Sequence, residues 1–486
     1  MTGLPMPPLL PPPPAGAATA AAAARAWIET AAAAHGLADD VRGSVARAPD
    51  WGGAAAVAAR ARAARESDTL TSHAARGLAQ ATAVARWAAV VTALSHAWAA
   101  LAARRTSFSE RRDRLEPVPD SDPSAPALRQ GIEADHTALS GAIRRWASAC
   151  ERADQQLADD LRQPAAPSAL QALDAAWRSL LALDTSAAGR STREALAGGD
   201  GPTYLLDYEP ERFHGDGAVV ISFGDPTTAD EVAVVVPGIT NDASTMADVG
   251  ALALAVGQSA ERARPATTTA AIAWLGYDAP SGGLDGRLDP RHLDDLARTL
   301  TPSAADAGAG ELALFVDRLG AETSAEITVV GHSYGSTTAA IAARRGMDAD
   351  RLVLLGSPGA GPGAMAATDL HLPVWVASDD LDPVTWVGSA DRLGGPGALG
   401  ADPAQEGFGA TRLPTGLTAA PHLDQALRLV DIHLGYLRPD SPTAAAVGTV
   451  VTGQAPPTVP GRTRGGTELA ARWLAGQVAY ELTSWR

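Results

Sequence analysis

Two patterns of hydrophobic and polar positions divide the chain. Residues 15–196 are rich in Ala, Arg and Glu with few β-branched residues, and they read as several helices. Breaks are expected near Gly36, at Trp51-Gly52-Gly53, across 116–126 and across 164–167, with Ser168 as a cap for the last helix. After Ala197-Gly-Gly-Asp-Gly-Pro202 the pattern changes. Short β-branched apolar runs at 218–223, 232–236, 270–275, 326–330, 351–355 and 372–377 alternate with helix-like segments. Continuous apolar runs bounded by Gly and Pro fit strands buried on both faces of a mainly parallel sheet. The alternation predicts an α/β domain over 200–455, preceded by an all-α helical domain over 15–197. Residues 1–14, with Pro-Pro-Pro-Pro at 11–14, predict an extended, disordered tail, and 456–486 a linker followed by a C-terminal helix.

The sharpest chemical signal is Gly331-His332-Ser333-Tyr334-Gly335. With glycine at 48 of 486 positions, Gly-x-Ser-x-Gly arises by chance about 0.3 times per such chain. Its setting carries the weight: a strand-like run precedes it and a helix-like run of small residues follows. That order is what a nucleophile elbow requires, with near side-chain-free flanks forcing the serine hydroxyl out above the sheet. Ser333 is therefore the candidate nucleophile.

A serine hydroxyl needs a general base, and the base needs an orienting acid, in the chain order Ser, acid, His. The acid belongs just beyond the 372–377 run, in Ser378-Asp379-Asp380-Leu381-Asp382-Pro383-Val384. Asp382 is the first choice, then Asp380, then Asp379; the two aspartates not used are expected to be solvated loop charges. Of the histidines beyond Ser333, His371 precedes the acid and fails on order. His433 is preferred and His422 is the alternative. For the oxyanion, the backbone N–H of Tyr334 is expected to act with that of Ile239 or Thr240, in the Pro237-Gly238-Ile239-Thr240-Asn241 turn after an earlier strand.

Composition narrows the remaining classes. At 46% hydrophobic and 19% charged residues the chain has material for a sizeable core. Its net charge of −16, with every basic residue an arginine, argues against nucleic acid as a partner. Neither metal-ligand spacings nor a Gly-x-x-x-x-Gly-Lys loop occurs, so no metal or other cofactor is expected. The single cysteine, Cys150, reads as a small apolar helix residue. No secretory signal is seen at the N-terminus, and 87–103 reads as a buried helix and not a transmembrane segment, which suggests a cytoplasmic protein.

Val234-Val-Val-Pro-Gly238, Ala273-Trp-Leu-Gly-Tyr-Asp-Ala-Pro280, the Ser333 motif and the Asp382 and His433 segments together resemble an actinobacterial α/β-hydrolase family of uncharacterised function. Its members are presumed serine hydrolases. The resemblance implies an α/β-hydrolase fold over roughly 200–455, with Ser333, Asp382 and His433 in their roles. By fold-level analogy the substrate is a small or lipid-like carboxylic ester, ahead of an amide. Trp51-Gly52-Gly53 between two helical arms resembles the small Trp-x-Gly helical hairpins exported by specialised actinobacterial secretion systems. That resemblance implies an alternative: an exported or interaction protein whose helical domain binds a protein partner. Tyr436 to Asp440 also fits the Tyr-x-x-x-Asp letters of such export signals, but inside the hydrolase block.

Overall fold

The computed structural model describes residues 6–12, 14–46, 53–115, 118–119, 121–162, 169–280, 301–386, 399–416 and 432–463. The chain divides into two compact units, Met1–Ala38 with Ala61–Leu183, and Asp39–Arg60 with Asp184–Arg486.

The first helices are α1 (Ala17–Ala46), α2 (Gly53–Leu115), α3 (Ala125–Asp160) and α4 (Ala169–Leu181). α1 runs through Gly36 without the expected break. One mid-helix glycine costs about 1 kcal/mol against alanine, and the alanine-rich flanks tolerate it. Trp51, Gly52 and Ser168 lie outside the described residues. Within the first unit, α2 and α3 close over Leu101, Phe108, Leu115, Ile132, Leu139, Ile143 and Trp146. Trp146 Nε1 donates to the Leu94 carbonyl (2.8 Å) and Trp87 Nε1 to Asp154 (2.8 Å), so these two indoles join helices. By length and composition α2 is apolar enough to cross a membrane. Packing within the first unit buries 39% of its apolar window.

The proline-rich start differs from expectation. Met6 and Leu10 pack on the α2–α3 core, and Trp98 Nε1 donates to the Pro11 carbonyl (2.7 Å). Prolines lack an N–H but keep an unpaired carbonyl, which an indole on a neighbouring helix satisfies. The described part of 1–14 is docked, not free.

The second unit is built on an eight-stranded sheet in the order β1-β2-β4-β3-β5-β6-β7-β8. The strands are β1 (Thr203–Glu209), β2 (Ala218–Phe223), β3 (Glu231–Val236), β4 (Thr269–Leu275), β5 (Glu326–His332), β6 (Arg351–Leu355), β7 (Val374–Ala377) and β8 (Thr411–Arg412). β2 pairs antiparallel with β1 and β4, and every pairing from β4 to β8 is parallel. All six predicted runs are strands. β1 and β8 went unread because one is a half-buried edge with a register shift and the other has only two residues.

Both faces are covered. Val232, Val234, Val236, Ile272 and Trp274 pack with Leu312, Val316 and Ile341 of α7 (Ser303–Glu322) and α8 (Tyr334–Arg344). The alternate positions face the other way, where Gly257 of α6 (Met246–Ala263) lies against Ala271. α6 in turn packs with α9 (Pro442–Val451) and with α5 (Ala187–Ala197). That packing places α5 with the sheet, so the division between units falls near residue 183, before the glycine-rich stretch at 198–201.

The topology locates a site. From β3 the chain moves to β4 on one side, then crosses to β5 on the other. The loops leaving the carboxyl ends of β3 and β5 therefore diverge, and such a switch point is where open α/β sheets place their ligands.

Candidate active site

Ser333 stands at that switch point, between β5 and α8. Its backbone is held at φ 55°, ψ −130°, a conformation costly for a residue with a side chain and common at functional turns. The surroundings impose it. Ser333 N–H donates to the Leu355 carbonyl (2.8 Å), and its own carbonyl accepts from Ser336 N–H (2.9 Å) and Oγ (2.5 Å). A Cβ at Gly335 would lie 2.3 Å from the Pro237 carbonyl oxygen, and one at Gly331 would lie 2.6 Å from Ser336 Cα. No side chain fits at either flank of the turn. The N-terminus of α8 begins directly after Ser333, where partial positive charge favours a developing anion.

The loop after β3 lies against the serine. A Cβ at Gly238 would sit 2.6 Å from Ser333 Cβ and 3.0 Å from its Oγ. Asn241 Nδ2 donates to the carbonyls of Gly238 (3.1 Å) and Ile239 (3.0 Å), while Tyr277 OH donates to Pro237 O (2.7 Å). In a trans peptide the N–H points opposite to the C=O. Turning the Gly238 carbonyl to Asn241 therefore turns the Ile239 N–H away from Asn241. Among the described residues that N–H has no hydrogen-bond partner. Thr240 is different: its N–H is spent on the Pro280 carbonyl (2.8 Å), so of these two N–H groups only that of Ile239 is without a partner among the described residues. Tyr334 sends its hydroxyl away from the serine, to the Thr301 carbonyl (2.6 Å), so a role in the site would rest on its backbone N–H.

Asp382 and His433 meet. His433 Nδ1 lies 2.9 Å from Asp382 Oδ2, which makes Nδ1–H the donor and leaves Nε2 as an acceptor. Asp382 is fully buried and also accepts from Val384 N–H (3.0 Å, at Oδ1) and Tyr436 OH (2.7 Å, at Oδ2). Tyr436 in turn accepts from Asp379 N–H (3.0 Å). Burial, then the Asp382 charge, hold the Tyr436 hydroxyl far above its ordinary pKa, so it stays a donor. The short turn from His433 to Tyr436 thus delivers a ring and a hydroxyl to the same carboxylate oxygen. Sequence reading missed this tyrosine; its spacing of three from His433 was the available signal. Gly356, which follows the Leu355 that holds Ser333, marks how close the pieces are: a Cβ there would meet Tyr436 at 2.8 Å and both Asp382 and His433 Cε1 at 3.0 Å.

Of the other acidic candidates, Asp379 is not the solvated charge expected, whereas Asp380 stays 43% exposed. Asp379 is buried, accepts from Thr415 Oγ1 (2.7 Å) and is shifted upward by that burial. Asp380 pairs with Arg412 (2.9 Å) and Arg462 (3.1 Å). A strand end tucked against neighbouring segments gives Asp379 a partner in place of water, while Asp380 keeps water beside its two arginines. His371 is exposed in a left-handed turn, and His422 lies outside the described residues. No cluster of metal-ligating side chains occurs among the described residues.

His332 adds a second imidazole. Its Nε2–H donates to the His433 carbonyl (2.9 Å), and the ring centroids lie 4.9 Å apart. Burial, followed by the neighbouring His433, lowers its pKa from 6.5 to about 4. The unfolded chain therefore binds a proton between pH 6.5 and 4 that the folded chain refuses, so stability falls as pH drops through that window. The full loss is about 3 kcal/mol. Urea melts of wild type and His332→Gln at pH 7 and pH 4 check this. The wild type is expected to lose about that much more on acidification, and equal losses would refute the assignment.

Residues 214–391 match the model of a family described as alpha/beta hydrolase. The chain carries an α/β-hydrolase domain with a mostly parallel mixed sheet, and a helix-rich region precedes it. The match takes in Ser333 and Asp382 and ends before His433. Among curated proteins, the chain is similar to the uncharacterized protein Rv2079 of Mycobacterium tuberculosis, 38% identical over 236 residues, which covers 43% of this chain and 34% of that protein. It is also similar to the uncharacterized protein Mb0988c of Mycobacterium bovis, 33% identical over 187 residues, or 35% of this chain and 62% of the relative. The matched region is about a third of the length of the first relative.

Proposed function

We propose that this hydrolase domain is a serine hydrolase that cleaves a carboxylic ester, ahead of an amide, through an acyl-enzyme. One observation carries the reading: a left-handed serine at the switch point, preceded by His332, whose ring lies 4.9 Å from that of His433, a histidine with its Nδ1 bonded to a buried carboxylate. Ser333 Oγ attacks the substrate carbonyl as His433 Nε2 takes its proton. The tetrahedral oxyanion lies between the N–H groups of Tyr334 and Ile239. His433 then protonates the leaving alcohol, and Asp382 holds the imidazole in the required tautomer. Water, deprotonated by the same histidine, attacks the acyl-enzyme and releases the acid. Ser333 Oγ has no hydrogen bond to His433 among the described residues, and catalytic contacts of this kind tighten when substrate binds.

The test is labelling by a fluorophosphonate probe, with wild type set against Ser333→Ala and His433→Ala. Wild type is expected to label, Ser333→Ala not at all and His433→Ala far more slowly. A folded wild type that stays unlabelled would sink the reading. Ester and amide substrates matched in acyl group then decide the bond class.

A further inference from the structure

Arg462 lies 80 residues beyond Asp382, outside the family match and in what the sequence presents as a linker. It is 2% exposed. Its backbone is fastened to the 404–406 turn, with Arg462 N–H on the Ala404 carbonyl (2.7 Å) and Glu406 N–H on the Arg462 carbonyl (2.9 Å). The guanidinium makes five contacts, as many as it has N–H groups. Nε reaches Asp380 Oδ1 (3.1 Å), Nη1 reaches Asp402 Oδ2 (3.0 Å) and Thr385 Oγ1 (3.2 Å), and Nη2 reaches Ser378 Oγ (2.8 Å) and the Asp379 carbonyl (3.0 Å).

Two of these contacts matter for chemistry. The Asp379 carbonyl also accepts the Asp382 N–H (3.2 Å), and Thr385 Oγ1 also donates to the Asp382 carbonyl (2.8 Å). The groups that hold the peptides on either side of Asp382 are thus themselves held by one guanidinium. A buried charge is costly unless fully paired, and here the pairing is spent on the loop that carries the acid. We propose that Arg462 is a positioning residue: from the C-terminal segment it fixes the 378–385 loop so that Asp382 faces His433. The proposal rests on the serine-hydrolase reading for its kinetic consequence, but not for its geometric one.

Arg462→Lys tests it. Lysine keeps the charge beside Asp402 and Asp380, yet its compact ammonium has three donors and no planar fork. Contacts to Asp379 O and Thr385 Oγ1 cannot both survive. The comparator is Arg351→Lys, which alters a partly buried arginine paired with Glu231 and Glu326 at the opposite, amino-terminal ends of the parallel strands. Both variants are compared with wild type well below their melting temperatures. Arg462→Lys is expected to lower kcat by about 10²-fold with KM nearly unchanged, the scale of a small misplacement of a reacting group. Arg351→Lys is expected to lose stability with kcat retained. The second readout needs no turnover: the downfield proton NMR resonance of a His433 Nδ1–H held by Asp382. It should be present in wild type and Arg351→Lys, and lost or moved in Arg462→Lys. A folded Arg462→Lys that keeps both kcat and the resonance overturns the proposal. If wild type neither labels nor hydrolyses esters, the hydrolase reading fails, and the resonance alone still decides whether Arg462 sets the Asp382–His433 pair.

Discussion

Asp382→Asn is expected to lower kcat by about 10⁴-fold while leaving the fold in place. The reason is donor and acceptor matching. Asp382 Oδ2 receives His433 Nδ1–H and Tyr436 O–H, and Oδ1 receives Val384 N–H. An asparagine must put its NH2 at one of those two positions. At Oδ2 it opposes two donors, and His433 answers by taking the other tautomer, which moves its proton to Nε2 and removes the base that Ser333 needs. At Oδ1 it opposes a backbone N–H that the loop cannot turn away. Volume and burial hardly change, so thermal melts should show at most a modest loss. Hydrolysis of the best ester found for wild type is the measurement. A folded Asp382→Asn within tenfold of wild type would remove Asp382 from the mechanism. Tyr436→Phe is the milder companion: it removes one of the two donors at Oδ2 and leaves the tautomer of His433 alone.

Gly238→Ala is expected to cost about 10²- to 10³-fold in kcat, the size of a lost oxyanion donor. The new methyl carbon would lie 2.6 Å from Ser333 Cβ and 3.0 Å from Oγ. Such contacts force a shift. Ser333 is locked by bonds to Leu355 and Ser336 and by the tight flanks at Gly331 and Gly335. The β3 loop, held by Asn241 and Tyr277, is the softer partner. It retreats and takes the Ile239 N–H with it. Because the donor acts on the oxyanion and not on the ground-state carbonyl, KM should move little. Unchanged kcat in a folded Gly238→Ala would show that this loop does not serve the site.

The strands at 218–223 and 351–355 were legible in the sequence to the residue, and the other four runs within two residues at either end. Doubly buried parallel strands must be apolar at every position, so the pattern is dense and bounded by turn residues. The elbow was legible for a related reason: a left-handed serine between a strand and a helix tolerates only glycine at its flanks, Gly331 because of the turn itself and Gly335 because of the β3 loop. Whatever atom imposes it, such a demand fixes the residue type at a set spacing and so writes itself into the chain.

What lay beyond the sequence depends on segments far apart in the chain. Choosing among Asp379, Asp380 and Asp382 needed to know which carboxylate meets a histidine 51 residues away, and only the folded arrangement of β7, the 378–385 loop and the 433–436 turn brings Asp382 to His433. Excluding Thr240 required the Pro280 carbonyl, and the docked proline tail required Trp98. The assignment of 456–486 as a linker followed by a C-terminal helix, a helix that lies outside the described residues, missed Arg462 because nothing within ten residues of it hints at a buried partner; its carboxylates come from positions 380 and 402. A hydrophobic pattern records whether a position meets water. It does not record which distant polar group satisfies a buried one, because any donor with the right reach will serve, and tertiary structure alone makes that selection.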